Sequence, residues 1–409
     1  MIRPAIRGGV RSAWGVRSAL VTALVTALVT ALLTVPAVPA SLRAETTPPS
    51  VRAPAARVAA RQAPEDSIRE FARLVAQLSE PGGYFDTDNL ISNESSYLHV
   101  MGALDRLNVR GGAYVGVGPD QNFSYIARIR PRIAIIIDIR RDNMLQHLLF
   151  KALFARARNR AEYLALLLGR PSQAAGAQAT SQSVDALVAF LDSLRVTPAS
   201  VRAARDLVRT TVTTFGVPLS TADLATIERF HSEFIDAGLA LRFTSTGRAP
   251  QPYYPTLRQL ILEHDLNGNP ASYLARESDF QFLKLLQQRN LIVPVVGDLA
   301  GTRAMPAIGK LLQQRGDKLA AFYVSNAEDY VMRGGGFVQY ARSVLSFPRD
   351  ARSVFIRSYF GGGRSHPENR PGYYSTQLLQ KVDDFAADMA GNGYMSYRDL
   401  AGRRYVPPR

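Results

Sequence analysis

The stretch from Ala113 to Asp138 constrains the fold of this chain more than any other. Ala113–Val117 is an apolar run that reads as a strand. It leads through Gly116-Val-Gly118-Pro119-Asp120-Gln121-Asn122, where the strand has to turn into a helix starting near Asp120. Ile133-Ala-Ile-Ile-Ile-Asp138 comes next as a second strand, unbroken in its apolar character, as expected when both faces of a strand are covered. It ends in an acid twenty residues after Gly118. Strand, glycine turn, helix and acid-tipped strand at this spacing predict a nucleotide-type βαβ unit. In such a unit glycines let the backbone approach a ligand, and the acid binds ribose hydroxyls.

The same alternation returns later in the chain. Phe280–Arg289 reads as a helix and Leu291–Val296 as a strand ending in Gly297-Asp298. Thr302–Gln314 reads as a helix and Leu319–Val324 as a strand ending in Ser325-Asn326. Glu328–Met332 and Phe337–Leu345 read as short helices, Ser353–Arg357 as a strand before a Gly361-Gly362-Gly363 loop, and Gln377–Ala390 as a helix before a polar tail from Gly393. Strands alternating with helices predict an α/β protein with a parallel, doubly wound, Rossmann-like sheet. Between the two halves of that core, residues 65–158 and 280–409, the pattern of residues 159–279 is helical and reads as a large insertion.

The N-terminus reads as a targeting segment. Arg3, Arg7, Arg11 and Arg17 precede an uncharged stretch from Ala19 to Ala40 that contains three Val-Thr-Ala-Leu repeats and ends near small residues. Residues 1–44 therefore read as a secretory signal, and residues 19–40 are also long enough for an uncleaved anchor to the inner membrane. Either way the basic flank predicts export of the rest of the chain, to the periplasm or beyond. Residues 45–64, rich in Pro, Ala, Thr and Arg, read as a disordered linker, and Asp66–Ser79 as an amphipathic helix with Ile68, Phe71, Leu74, Val75 and Leu78 on one face.

Composition closes several doors. The chain has no cysteine, so it has no disulfide framework, thiolate nucleophile or cysteine zinc site. None of its five histidines forms a close His-x-x-x-His pair, and no metal is expected. Of its 49 basic residues five lie in the leader, which leaves 44 against 34 acids, net +10. No Lys/Arg run interleaved with aromatics suggests a nucleic-acid groove, and no Gly-x-Ser-x-Gly elbow suggests an α/β-hydrolase.

The glycine loop departs from the dinucleotide pattern. A third glycine would fall at Gln121, and Asp120 at the start of the helix would repel a pyrophosphate there. A nucleoside without phosphates fits better. In these features the core resembles a class I S-adenosylmethionine-dependent methyltransferase. Val115-Gly116-Val-Gly118-Pro119-Asp120-Gln121-Asn122 resembles the first motif of that family, and Asp138 matches its ribose-binding acid. Val295-Val296-Gly297-Asp298 resembles the strand end whose acid lies near the adenine amino group. Phe322-Tyr323-Val324-Ser325-Asn326 stands in the place of the fourth-strand motif. The chain also looks similar to a poorly characterised bacterial group with Ser-Asn-Glu, Gly-Asp and Tyr-Val-Ser-Asn segments around such a core. The resemblance covers about residues 85–155 and 280–360. It implies a donor site for S-adenosylmethionine made by Gly116, Gly118, Asp120, Asn122, Asp138, Asp298, Ser325 and Asn326, with a small-molecule or unknown acceptor.

Asp86, Asp88, Asn93 and Glu94, just before the first strand, read either as groups that close over a ligand or as a polar, solvated loop. Glu94 is the candidate general base. Two functions remain open at this level. One is a methyltransferase-like enzyme with a helical lid. The other is a non-catalytic exported binding protein on the same fold, which the leader favours because the methyl donor is made in the cytoplasm.

Overall fold

The computed structural model describes residues 54–87, 89–172, 182–245, 251–361 and 365–409. The leader, the start of the expected linker, Asp88, most of the loop after Gly169 and Gly362-Gly363 lie outside them. No helix of the described residues is long and apolar enough to cross a membrane.

Seven strands form one sheet: β1 (Ala113–Gly116), β2 (Ile133–Asp138), β3 (Ile292–Val296), β4 (Leu319–Ser325), β5 (Arg349–Phe360), β6 (Ser375–Lys381) and β7 (Tyr405–Val406). Their order is β3-β2-β1-β4-β5-β6-β7. β1 to β5 are mutually parallel along the sheet, while β6 runs antiparallel to β5 and β7 antiparallel to β6. The result is a mixed α/β protein with a mostly parallel sheet flanked by helices. From β1 the chain builds outward through β2 to β3, then returns to the other side of β1 for β4 and β5. The sheet therefore reverses its winding between β1 and β4, and a crevice opens at such a reversal outside the carboxyl ends of the strands. The register brings those ends level: Gly116 lies beside Ile136 and Tyr323, and Asp138 beside Val296.

Burial explains the apolar runs. Every residue of β1 and β3, and all of β2 except Asp138, is buried. The Arg141–Arg156 helix, which packs on β2 and β3, is also buried round most of its circumference, from Asn143 to Phe154. A helix apolar on all sides needs cover on all sides. The helices between β2 and β3 supply it: Pro198–Val212 and Thr221–Ala237 both pack against it. Thr197 with Ser200, and Ser220 with Asp223, form capping boxes at the starts of these two helices. Arg141 is paired with Asp223 at 2.7 Å, which ties the exit of β2 to the inserted helices. Pro54–Arg409 forms one compact unit, so the insertion shares the core rather than standing apart.

Two expectations need correction. Residues 54–64 are not linker but the first part of a helix spanning Pro54–Leu78. Gln377–Lys381 is not helical: it belongs to β6, and the helix begins only at Val382. The apolar positions there fit either period, and the long partner strand β5 decides the outcome, pairing with β6 from Val354–Lys381 to Phe360–Ser375. The polar tail is also structured. It contains the Tyr397–Gly402 helix and β7, anchored by Tyr397 Oη, which donates to the Ser358 carbonyl at 2.8 Å.

At the β3 edge, residues 79–83 run alongside the sheet. Glu80 N donates to Val296 O at 2.9 Å, Val296 N to Ser79 Oγ at 3.1 Å, and Gly83 N to Ile139 O at 2.7 Å.

Candidate functional site

The crevice at the winding reversal holds a cleft of about 1090 Å³, solvent included. Phe85, Asp86, Thr87, Asn89 and Ser92–Glu94, the glycine loop, the ends of β2, β3 and β4, and Phe243, Ser245 and Tyr254 from the inserted region line it. The polar segment before β1 is therefore a wall of the cleft and not a solvated loop.

Gly118 is the turning point of the glycine loop. Its φ of +81° is one that a side chain resists, and it lines the cleft. Gly116 serves another purpose. A Cβ there would sit 1.9 Å from Asn122 Oδ1 and 2.8 Å from the Tyr114 ring. Asn122, wholly buried, takes up that space. Its Nδ2 donates to the Val117 and Pro119 carbonyls at 2.8 Å each, and its Oδ1 accepts from Tyr114 Oη at 2.8 Å. The amide thus closes the loop behind the cleft. Asp120 also faces away from the cleft, where its carboxylate accepts from Tyr273 Oη at 3.1 Å. Burial pushes its pKa up to about 6, against the effect of that hydrogen bond. Of the eight expected donor-site residues, Gly118, Asp138, Asp298, Ser325 and Asn326 line the cleft, while Gly116, Asp120 and Asn122 stand behind it.

Asp138 is already engaged. Arg140, two residues on, reaches back to it: Nε lies 3.0 Å from Oδ1 and Nη2 2.9 Å from Oδ2, and Arg140 N adds a further bond to Oδ1 at 3.0 Å. Arg140 Nη1 donates to Thr87 O at 2.5 Å, so the same guanidinium fastens the segment before β1 to the end of β2. This fork geometry is particular to arginine. Asp298 is exposed and turns back on itself, accepting from Ala300 N at 2.9 Å. Its own N–H donates to Glu80 Oε1 at 2.8 Å, and Ala304 N donates to Glu80 Oε2 at 3.2 Å, so Glu80 braces the loop after β3.

Glu94 lies between β1 and β4 with 1 % of its surface exposed. Its Oε2 accepts from Tyr323 Oη at 2.8 Å and its Oε1 from Ser325 Oγ. Desolvation raises its pKa, and the hydrogen bonds from Ser325, Ser358, Tyr323 and Gln377 oppose that rise. Ser325, at the tip of β4, has a φ of +53°, an uncommon conformation for a residue with a side chain and one concentrated at functional sites. Asn326 comes next, at the start of the Ala327–Arg333 helix. Phe85 and Tyr330 meet edge to face at 5.0 Å on the cleft wall.

Sequence reasoning overlooked Gln121, Tyr323 and Arg140 as site residues. The signal for Arg140 was present: a base two residues after a strand-end acid can fold back on it. Gln121 and Tyr323 lay inside the segments that carry the resemblance, but nothing marked them as partners, since a tyrosine inside an apolar strand and a glutamine on a buried helix meet only once β1 and β4 are adjacent. Asp86 and Asn93 line the cleft as expected. Among the described residues no group of three or more acidic or histidine side chains could hold a metal ion.

The chain belongs to the family described as a domain of unknown function (DUF7790), whose model matches residues 90–214 and 244–405. The match takes in Glu94, Gly118, Asp138, Arg140, Asp298, Ser325 and Asn326, and leaves out residues 215–243 of the inserted helices. A comparison with curated proteins finds no match.

Proposed function

We propose that this member of the DUF7790 family binds S-adenosylmethionine in the cleft and acts as a methyltransferase on a small molecule, on a doubly wound sheet of the methyltransferase type. The observation that carries the reading is the convergence of Gly118, Asp138, Asp298, Ser325 and Asn326, chosen from sequence alone, on one cleft at the winding reversal. The charge of the lining fits as well. Asp86, Asp138 and Asp298 outnumber Arg140, which favours a ligand with net positive charge.

The bound donor would supply an electrophilic methyl group on a sulfonium. The chain's own contribution is positional. Gly118 allows close backbone approach, Asp138 faces the ribose hydroxyls with the lone pairs that Arg140 leaves, and the Phe85–Glu94 wall narrows the cleft over the ligand. Glu94 is the buried group able to hold or take up a proton beside the reacting atoms.

One observation favours a second reading, that of an exported, non-catalytic binding protein. Arg140 already occupies both oxygens of Asp138, which weakens that acid as a ribose anchor and leaves room for a different cationic ligand. Calorimetric titration of the full chain with S-adenosylmethionine and S-adenosylhomocysteine separates the two. Micromolar binding that is lost in Asp138→Ala supports the first reading. A folded protein that binds neither compound overturns it.

A further inference from the structure

The floor of the cleft between β1 and β4 has a direction to its hydrogen bonding. Tyr323 Oη donates to Glu94 Oε2 at 2.8 Å, so the phenol oxygen is left to accept, and Gln121 Nε2 donates to it at 3.1 Å. This assigns the two ends of the Gln121 amide: the nitrogen faces Tyr323, and the carbonyl is the other end. That carbonyl oxygen, Oε1, has no partner, although the residue is 7 % exposed and lines the cleft. On the opposite side Ser325 Oγ donates to Glu94 Oε1, and Asn326 Oδ1 lies 3.4 Å from the same hydroxyl. Tyr323, Gln121 Nε2 and Ser325 are thus committed as donors, Glu94 is held by neutral donors with no cation beside it, Gln121 Oε1 has no partner, and the Asn326 amide places its oxygen beside Ser325. Arg140, the only cation among the described lining residues, is turned to Asp138 and the Thr87 carbonyl.

We propose that this floor, formed by Glu94, Gln121 and Asn326, recognises a primary ammonium group of a small ligand. An ammonium carries three N–H donors and a positive charge, which suits a carboxylate and two carbonyl oxygens. A carboxylate or phosphate in the same place would face the Glu94 carboxylate and the unpartnered Gln121 carbonyl oxygen, and a neutral hydroxyl would bring one donor and no charge. A buried acceptor without a partner costs free energy until a donor arrives, which gives the empty floor a reason to prefer such a ligand. Protonation of Glu94 is tied to the same arrangement. The titratable groups facing it are the phenols of Tyr323, Tyr114, Tyr125 and Tyr397, all pushed upward by burial, so no other side chain there competes for protons near neutrality. Arrival of a cation favours the ionised carboxylate and so opposes the upward push that burial gives it.

The inference rests on the cleft being a ligand site and deepens the methyl-donor reading, because the amino-acid end of that donor carries such an ammonium. An amine on the acceptor would present the same chemistry. Titration calorimetry on the full chain distinguishes the sources. The probes are S-adenosylhomocysteine, 5′-methylthioadenosine, which lacks the amino-acid end, and two plain amines, tyramine and spermidine. Wild type is expected to bind S-adenosylhomocysteine at least tenfold more tightly than methylthioadenosine. Glu94→Gln should erase most of that preference and leave methylthioadenosine affinity unchanged. Gln121→Leu should reduce it severalfold, and keeps the test open if Glu94→Gln does not fold. If the two nucleosides bind equally but an amine binds the methylthioadenosine-loaded protein and is lost in Glu94→Gln, the ammonium belongs to the second ligand. If neither nucleoside binds, the methyl-donor reading falls, and the amines alone decide the floor. Failure of every ammonium probe to bind, or a preference that survives Glu94→Gln, overturns the inference.

Discussion

The two walls of the cleft carry acids in opposite conditions. On the β2–β3 side the acid that ends β2 has its cation and the loop after β3 has its brace. Asp138 is held by the Arg140 fork, and the loop that carries Asp298 is fixed by Glu80. On the β1–β4 side Glu94 has no cation, only neutral hydroxyl and amide donors, and beside it a carbonyl oxygen has no partner. The first wall has its electrostatics settled by folding, so its strength goes into stability. The second keeps an acceptor that folding leaves unsatisfied. An ion pair on one wall and an orphaned acceptor on the other thus differ in how far folding alone satisfies them.

The contrast can be broken most directly at Arg140. Arg140→Leu leaves Asp138 without its cation and the Thr87 carbonyl without its donor. Chemical denaturation should show a loss of about 3–5 kcal/mol, the usual result of removing one partner of a buried pair. A loss no larger than that from Glu94→Gln would sink the distinction between the walls. Asn122→Ala tests the loop between them. It removes the donors to Val117 and Pro119 and strands the Tyr114 hydroxyl, and should cost about 2 kcal/mol or more in thermal or denaturant unfolding. Tyr323→Phe removes one donor to Glu94 and the acceptor of the Gln121 amide, with an expected loss of about 1 kcal/mol.

Glu94→Gln should have the smallest effect on stability, and a pH-dependent one. Burial raises the pKa of the folded carboxyl above its ordinary value of 4.5. Well below that value both folded and unfolded chains are protonated, and the group costs nothing. As pH rises from there toward the folded pKa, the unfolded chain gives up its proton first, so wild-type stability declines across that interval. The glutamine variant lacks the decline and should match or exceed wild type by about 1 kcal/mol above it. Parallel wild-type and variant curves in denaturant melts from pH 4 to 8 would show that Glu94 is not a strained carboxyl.

Much of this architecture was legible in the chain. The βαβ unit around Gly118 and Asp138 could be read because a buried parallel strand is apolar throughout and a ligand turn needs glycine. β3 and β4 could be read for the same reason. The failures share a different cause. Gln377–Lys381 has a pattern compatible with either period and becomes a strand only by pairing with β5. Gly116 and Asn122 looked like ligand contacts and turned out to brace one another, since spacing along a chain does not say on which side of a loop a side chain lands. Tyr323 and Gln121 meet across 202 residues, a distance over which local sequence carries no information.

The segment from Ser79 to Gly83 bears on how copies of this protein can meet. Its backbone and Ser79 already satisfy Val296 at the end of β3 and Ile139 just after β2, while at the far margin β7 is only two residues long. Open margins of that kind are where one chain can zip onto another, seeding fibres or swapped dimers. Here one margin is capped at Val296, while at the other β7 covers only Leu379 and Gln380 of β6. Strand-to-strand association of the described unit is therefore blocked more at the end of β3 than along Ser375–Leu378 of β6.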